Sequence, residues 1–373
     1  MIFGNQLRST KAIALVVASV VFLAALFTLA FNHLEIQLPY SFVDDLSSPF
    51  SSSDRPPPNP KQVDFYLKHI QKPSVKPDSK KYRAWDAFEY ALHAKPHWTK
   101  PLREKLCIID LDNRPWSEPG ELWGPKPMSW DQSKPVHGLS LGVLNHWVYA
   151  KIHGYKYYFI DFEEYNDRRA SWKKPTIMAK ILEQHDVCLF LDSDAIFHHL
   201  DLPFEWLMNY WDVHADNNSL ALAFDPEADN NKDEFGTVYL NTGFIIAQNN
   251  EKTFEIMREW NDCAEEGGTH PDCVNFRLNR PGKPTDQGGF GTYIRYDYPD
   301  DIKSLPCDEA NGFPESNSGC NGLFIRHLWT GKKNWIKSVI SQQMPGGFLE
   351  MLHTQYLKEK PWFYQTEKEL MSS

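Results

Sequence analysis

The chain has 373 residues, of which 42% are hydrophobic and 24% are charged, and its 39 Lys and Arg against 49 Asp and Glu give a formal net charge of −10. This composition supplies a sizeable core and excludes a chain disordered throughout, a collagen and a disulfide-dense mini-protein. The acidic balance argues against a nucleic-acid-binding protein, which needs a basic surface. A mean hydropathy of −0.51 excludes a polytopic membrane protein.

The first apolar run covers residues 12–31 and contains no charged side chain. Twenty residues at a rise of ~1.5 Å span ~30 Å, the thickness of the bilayer's hydrocarbon core. Arg8 and Lys11 precede the run, so the positive-inside rule places residues 1–11 in the cytoplasm. The alternative is a cleaved signal peptide, whose apolar core would span ~7–15 residues before a small-residue cleavage site. Because the run is longer and no clear site follows, we predict a signal anchor at 12–31.

Residues 32–81 are rich in Pro and Ser, as in SSPFSSSDRPPPNPK and KPSVKPDSK. Such segments favour extended chain, so we predict a stem that holds the following domain away from the membrane. Within the stem, residues 63–70 have the pattern of a short helix. The polar loop HADNNS contains one glycosylation sequon at Asn217, which agrees with a lumenal position for the domain over 82–373.

Strand and helix patterns alternate along residues 82–373. Strands are predicted over 106–110, 155–162, 187–194, 220–225 and 242–248. Helices are predicted over 139–155, with Gly154 as the C-cap, over 175–185 and over 252–266. The alternation predicts an α/β domain with a mainly parallel central sheet.

Six cysteines could pair in 15 ways, so spacing alone does not fix the disulfides. Cys107 and Cys188 lie in buried-strand patterns and are predicted to be free thiols. The other four bracket two polar loops, which predicts disulfides Cys263–Cys273 and Cys307–Cys320 in an oxidising compartment. No C-x-x-C spacing is present, so a zinc site is disfavoured.

The strongest chemical signal is Asp192-Ser193-Asp194, which directly follows the apolar strand VCLFL. Ligands bind at the carboxyl ends of strands in open α/β sheets. Two carboxylates two residues apart can converge on one hard cation, and their oxygens suit Mn²⁺ or Mg²⁺. The alternative is a turn with two solvated acids. The uninterrupted strand before the tripeptide favours the metal site.

A second signal lies near the C-terminus in the sequence IRHLWTGK, residues 325–332. His327 offers the third ligand that a two-carboxylate site lacks, because neutral imidazole is a common metal ligand. Gly331 lets the backbone approach a phosphate, and Lys332 or Lys333 supplies positive charge. A lone histidine is more often structural, but its pairing with the acidic strand end favours the ligand.

Four segments in order resemble glycosyltransferase family 34, which includes fungal galactosyl- and mannosyltransferases and plant xyloglucan xylosyltransferases. They are FLDSDAIF, YLNTGFIIAQN, DQGGF and HLWTGK, and the similarity runs from about residue 139 to 335. The resemblance implies a Rossmann-like GT-A fold, a type II Golgi anchor, a nucleotide-sugar donor, Mn²⁺ and retention of anomeric configuration. It also implies a glycan acceptor, and it leaves a Golgi homo- or hetero-oligomer open.

Roles carried over by position give a set of expected site residues. Asp192, Asp194 and His327 would hold the metal, and Ser193 would face the donor ribose or sugar. Lys173 and Lys332 would contact the diphosphate, although Lys173 also fits a solvated helix start. Asn241 would hydrogen-bond sugar hydroxyls, and Asp286 and Gln287 would lie near the anomeric carbon. For these last three residues, simple turns are the alternative.

The function predicted on this basis is retaining transfer of a galactosyl, mannosyl or pentosyl unit from a nucleotide sugar to a glycan. The acceptor hydroxyl would attack on the face that the diphosphate leaves, whereas a double displacement would use Asp286 as nucleophile. One rival is a metal-dependent hydrolase or phosphotransferase. Another is a non-catalytic lumenal binder of glycans or nucleotide sugars. UDP-galactose, UDP-xylose and GDP-mannose all fit as donors.

Overall fold

The computed structural model describes residues 60–69, 71–85, 88–278, 284–346 and 348–372. The predicted cytoplasmic tail, the predicted signal anchor and the first part of the predicted stem lie outside the described residues. Within the described ranges, no helix combines the length and apolar character that crossing a membrane requires.

The described residues form a mixed α/β fold. The strands are β1 (Lys81–Arg83), β2 (Glu89–Ala91), β3 (Leu106–Leu111), β4 (Lys156–Asp161), β5 (Val187–Leu191), β6 (Ala195–Phe197), β7 (Leu220–Phe224), β8 (Leu240–Gln248), β9 (Ile302–Leu305), β10 (Ile325–His327) and β11 (Tyr364–Thr366). The helices are α1 (Pro60–His69), α2 (Gly138–His153), α3 (Lys174–Leu182), α4 (Phe204–Tyr210), α5 (Glu251–Cys263), α6 (Thr285–Gly289), α7 (Arg295–Asp297), α8 (Cys307–Ala310), α9 (Lys332–Gln343), α10 (Phe348–Phe363) and α11 (Glu367–Ser372).

The central sheet has seven strands in the order β11-β4-β3-β5-β8-β7-β9. Strand β8 runs antiparallel to both of its neighbours, and the other four pairings are parallel. This arrangement confirms the predicted α/β class with a mostly parallel sheet. The predicted strands and helices all form, with ends that shift by one to three residues, and α2 ends at Gly154 as predicted.

Side chains of the central strands alternate between the two faces of the sheet, as the period of two requires. In β3, Ile108 packs in the core layer that includes α2, whereas Ile109 packs in the layer that includes α3 and α5. In β5, Leu189 and Phe190 divide in the same way. Helices therefore cover both faces of the sheet. A ligand can reach the sheet only at its edges.

Helix α1 belongs to the packed unit although it lies in the predicted stem. Its Tyr66 is buried, stacks on Phe348 at 4.0 Å and donates a hydrogen bond to the Gln343 carbonyl at 3.1 Å. Among the described residues, burial thus starts at Val63 in α1, ahead of the stem boundary expected near residue 82.

Three disulfides connect the six cysteines. The predicted pairs Cys263–Cys273 and Cys307–Cys320 are confirmed. The prediction that Cys107 and Cys188 are free thiols is wrong, because the two residues are register partners on the adjacent strands β3 and β5. Their Cα atoms lie 4.5 Å apart on one face of the sheet, within the range that a disulfide spans.

His353 on α10 makes the stability of this fold dependent on pH. Its Nδ1 accepts from the Met128 backbone N–H and its Nε2–H donates to the Leu122 carbonyl, both at 2.7 Å, so the buried ring is neutral. Burial lowers the pKa of His353 from 6.5 to about 4. As pH falls, His353 is protonated in the unfolded chain before it is protonated in the folded protein. The free energy of unfolding that is present above pH 6.5 is therefore lost progressively towards pH 4.

We expect this histidine alone to cost about 2 kcal/mol of unfolding free energy between pH 7 and pH 5. Urea unfolding at both pH values measures the loss. Glutamine in His353→Gln keeps a donor and an acceptor but does not titrate. The variant should therefore lose about 2 kcal/mol less unfolding free energy than the unmodified protein between pH 7 and pH 5. An equal pH dependence in both proteins would contradict the assignment.

Candidate active site at the carboxyl edge of the sheet

Acidic residues meet at one edge of the central sheet. Strands β3, β5 and β7 end there, and Asp112, Asp192 and Asp225 follow them directly. Because β8 is antiparallel, its first residues, Asn241 and Thr242, lie at the same edge. An open cleft of about 640 Å³ is formed there. Its position is the one where ligands bind in open α/β sheets.

The structure brings the three predicted metal ligands together. The short strands β6 and β10 pair antiparallel, with His327 opposite Ala195, the residue that follows the acidic tripeptide. One ligand atom from each of Asp192, Asp194 and His327 lies within 4.8 Å of the other two. The His327 Nε2 is 3.3 Å from the Asp194 Oδ1.

The orientation of His327 leaves the correct nitrogen for a metal. Its Nδ1–H donates to the Asn311 Oδ1 at 3.1 Å, and the Asn311 amide donates to the Phe224 carbonyl at 2.9 Å. The Nε2 therefore faces the acids. Burial opposes protonation of the ring, but Asp194 and the nearby acids raise the pKa of His327, so a metal that binds the Nε2 lone pair would replace a proton there. Two carboxylates and one oriented imidazole are a donor set that fits a divalent cation.

Gly243 on β8 keeps this space open. A Cβ atom at this position would lie 2.4 Å from the His327 Cε1 and 2.9 Å from the Asp192 Oδ2. A side chain would therefore push the imidazole and a carboxylate out of place. The glycine in the predicted Asn-Thr-Gly segment is explained by this close approach.

Lys332 starts α9 and places its Nζ 2.5 Å from the Asp194 Oδ2. Burial alone would raise the pKa of Asp194, but His327 and Lys332 together hold that pKa well below its usual value. The preceding Gly331 has a left-handed backbone, with φ of 59°, and turns the chain into α9. Lys332 thus lies at the candidate metal site, as predicted, and its direct partner is a carboxylate.

Lys173, the predicted diphosphate contact, points away from the acids. Its Nζ pairs with the Glu367 Oε1 at 2.6 Å and lies 4.1 Å from the Tyr165 ring centroid. The neighbouring Lys174 enters the site instead, with its Nζ 3.3 Å from the Asp192 Oδ1. Of the two adjacent lysines, the structure therefore brings Lys174 to the acids, and the predicted Lys173 pairs with Glu367 outside that group.

Asp286 lies on α6 and is held on both of its oxygens. Its Oδ2 accepts from the Thr242 hydroxyl at 2.9 Å and lies 3.4 Å from the Lys174 Nζ. Its Oδ1 accepts from the Thr285 hydroxyl at 3.0 Å. The side chain is only 3% exposed, so this carboxylate is a buried group at the wall of the cleft with a partner on each oxygen.

Asn241 and Gln287 converge on a carboxylate that the sequence did not single out. Their amide groups donate to Asp225, at 2.7 Å from Asn241 and 2.6 Å from Gln287. Burial raises the pKa of Asp225, and these donors oppose that shift. Asn241 and Gln287 therefore meet at Asp225. Thr242 links this pair to Asp286, because its backbone N–H donates to the Gln287 Oε1 at 3.3 Å and its hydroxyl donates to Asp286.

Ser193 contacts Arg114, a cation that lines the cleft. Its hydroxyl accepts from the Arg114 Nη2 at 2.6 Å. Arg114 also makes a bidentate pair with Asp112 and stacks on Trp116 at 4.1 Å. Arg114 is partly exposed, at 42% of its side chain, so its guanidinium is available to an anionic or planar ligand.

A buried histidine on α2 holds the residue that follows the acidic tripeptide. His146 on α2 contacts the Asp110 Oδ1 at 2.8 Å through Nδ1 and the Ala195 carbonyl at 2.6 Å through Nε2. The Tyr157 hydroxyl donates to the other Asp110 oxygen at 2.5 Å. This network ties α2 and two central strands to the residue after Asp194.

Sequence reasoning missed several of these residues for identifiable reasons. Asp225 ends a predicted strand, and its position at the carboxyl edge was a usable signal. His146 lies in an almost wholly buried helix, where nothing in the pattern separates it from a core histidine. Arg114 follows strand β3 within three residues, which was also a usable signal.

The nucleotide-diphospho-sugar transferase family model matches residues 133–341. No curated protein sequence gives a match. Solved structures to which the chain is similar include a glycosyltransferase involved in glycosylation of the major capsid of PBCV-1, with a TM-score of 0.41, 15% identity, and coverage of 63% of this chain and 98% of the other. They also include GlyE of Streptococcus pneumoniae TIGR4, with a TM-score of 0.36, 13% identity, and coverage of 68% of this chain and 64% of the other. Mouse xyloside xylosyltransferase 1 is a third, with a TM-score of 0.35, 11% identity, and coverage of 61% of this chain and 98% of the other.

The family match spans more than half of the chain and includes both acids of the tripeptide, Asp286 and His327. The chain belongs to the nucleotide-diphospho-sugar transferase family, and its cleft is the candidate site for glycosyl transfer from a nucleotide sugar.

Proposed function

We propose that this protein is a metal-dependent, retaining α-glycosyltransferase of family 34. It moves a galactosyl, mannosyl or pentosyl unit from a nucleotide sugar to a glycan acceptor. The convergence of Asp192, Asp194 and His327, of which Asp192 also lines the cleft, is the observation that carries this proposal. Family membership supports the reaction class, and the resemblance of the four sequence segments supports the finer assignment.

Asp192, Asp194 and His327 would hold Mn²⁺ or Mg²⁺. When bound, such an ion stabilises the negative charge that grows on the departing diphosphate. Lys332, next to Asp194, adds positive charge on the same side. Arg114, which lines the cleft, and Ser193, which contacts it, would bind the nucleotide portion of the donor.

The bonding of Asp286 supports attack by the acceptor on the face that the diphosphate leaves. Thr242, Thr285 and Lys174 already engage both of its oxygens, and the group is buried. A nucleophilic carboxylate needs a free oxygen below the anomeric carbon. We therefore assign Asp286 the role of orienting Lys174 and Thr242, while Asn241 and Gln287 bind sugar hydroxyls.

We further propose that the catalytic domain lies in the Golgi lumen, anchored by residues 12–31 as a single-pass type II protein. Two observations support this location. The apolar run has the length and flanking charge of a signal anchor. The three disulfides are typical of proteins that fold in an oxidising compartment.

The first test is calorimetric titration of the full-length protein with UDP-galactose, UDP-xylose and GDP-mannose, with and without Mn²⁺. We expect tight, Mn²⁺-dependent binding of one donor. Asp192→Asn should remove that dependence and lower turnover by at least about 10²-fold, since it removes a charge from the metal site.

The matched control is Asp229→Asn, which changes a fully exposed carboxylate paired loosely with Lys232 and should leave activity unchanged. Full activity of Asp192→Asn would refute the metal assignment. Donor breakdown that does not depend on an acceptor would instead indicate a hydrolase. Donor binding without transfer would indicate a non-catalytic binder.

Gly243→Ala tests whether the open space at β8 serves the metal. The new methyl group would displace His327 and Asp192, so we expect Mn²⁺ affinity to fall about 10–100-fold while the circular dichroism spectrum stays unchanged. Gly236→Ala is the control, because no atom lies within 4 Å of its added Cβ and only a surface turn is strained. Unchanged Mn²⁺ affinity in Gly243→Ala would be evidence against the site.

Intact-mass spectrometry of the protein with its donor distinguishes the two retaining mechanisms. Because each Asp286 oxygen already has a partner, we expect no glycosyl adduct on the protein when the acceptor is withheld. Lys174→Met removes one of the two partners of the Asp286 Oδ2, leaves the Thr242 hydroxyl in place, and serves as the comparison. A donor-dependent adduct mapped to Asp286 in the unmodified protein would establish double displacement instead.

A further inference from the structure

We propose that His97, His214 and Asp216 form a second metal site, for a borderline divalent cation such as Zn²⁺, away from the candidate active site. One ligand atom from each residue lies within 4.8 Å of the other two. His214 precedes β7, whereas Asp225 follows it, so the cluster lies near the opposite end of that strand.

The two segments that carry these ligands are fixed against each other. Beside His97, the Trp98 backbone N–H donates to the Asn209 Oδ1 at 2.8 Å, and the Asn209 amide donates to the Trp98 carbonyl at 2.7 Å. The Trp98 indole N–H donates to the carbonyl of Val213, next to His214, at 2.9 Å. The backbones of His97 and His214 are therefore held in place before any ion binds.

The nitrogen atoms of His214 are suited to metal binding. Its Nδ1 is buried without a hydrogen-bond partner in the described part of the chain and lies 3.9 Å from the Asp216 Oδ2. A buried polar atom with no partner needs an explanation, and a cation would supply one. Its Nε2 lies 3.7 Å from the Asp212 Oδ1, the position of a carboxylate that orients a metal-bound imidazole.

The donor set selects the class of ion. Two imidazoles and one carboxylate, with a fourth position left to water, match a zinc site with three protein ligands. The active-site set, with two carboxylates, favours harder cations such as Mn²⁺.

Binding requires modest movement of exposed side chains only. Zinc bonds of ~2.1 Å in tetrahedral geometry separate ligand atoms by about 3.4 Å. Asp216 has a side chain that is 83% exposed, and His97 is exposed and stacks on His214 at 4.2 Å. Rotation of these two side chains closes the gap while His214 stays in place. A bound ion would then link the segment around His97 to the loop before β7.

The test is calorimetric titration of ZnCl₂ into the full-length protein in excess Mn²⁺, which occupies the candidate active site. We expect one Zn²⁺ per chain. His97→Ala and His214→Ala should each weaken binding at least about tenfold, and Asp212→Asn about tenfold. His93→Ala, which removes another exposed histidine of the same segment, should leave the affinity unchanged.

Asp192→Asn provides the second comparison, because it alters the candidate active site and should leave zinc binding intact. Absence of Zn²⁺ binding in excess Mn²⁺ would overturn the proposal. So would the same Zn²⁺ affinity in His97→Ala, whose exposed side chain can be removed without unfolding the protein. Loss of zinc binding in Asp192→Asn with retention in His214→Ala would assign the ion to the active site instead.

Discussion

Repulsion among carboxylates crowded at one sheet edge is the constraint on which the rest of the site depends. Like charges that share a site destabilise each other unless cations or hydrogen bonds compensate them. Lys174 lies between Asp192 and Asp286, and Lys332 and His327 both contact Asp194. Because both lysines already have carboxylate partners, they leave little positive charge for an anionic diphosphate. This charge balance supports the proposed divalent cation on physical grounds that do not depend on family resemblance.

The three disulfides brace the elements that carry the site residues. Cys107–Cys188 joins β3 to β5, the strands that lead to Asp112 and Asp192. Cys307–Cys320 closes the loop that contains Asn311, which orients His327. The Cys263–Cys273 pair packs against Gly289 at the end of α6, the helix of Asp286. Cross-links placed in this way restrict the separation of segments that are distant in sequence, so the site can be preorganised although its residues come from loops.

The sequence was sufficient for the sheet class and for naming Asp192, Asp194 and His327, which the structure brings together. It was insufficient where the direction of a side chain decides its contacts. Asp192 and Asp194 follow the carboxyl end of a strand. In a parallel sheet, the carboxyl ends of the strands form the edge at which ligands bind. Lys173 and Lys174 differ by about 100° of rotation at the start of α3, so one enters the cleft and the other meets Glu367. The pairing of Cys107 with Cys188 depends on which strands are neighbours and in which register, which hydrophobic patterning does not encode.

The network of His146 explains how a short acidic turn can hold a fixed geometry. Both ring nitrogens face acceptors, the Asp110 carboxylate at 2.8 Å and the Ala195 carbonyl at 2.6 Å, so the imidazole is held on both sides. A second contact limits the same turn, because a Cβ at Gly142 would lie 2.0 Å from the Ser193 carbonyl oxygen. Helix α2 therefore packs against the tripeptide at Gly142 and forms a hydrogen bond to Ala195, the next residue, through His146. A turn fixed from the core side at two points presents Asp192 and Asp194 to the cleft without the entropy loss that ordering a mobile loop would require.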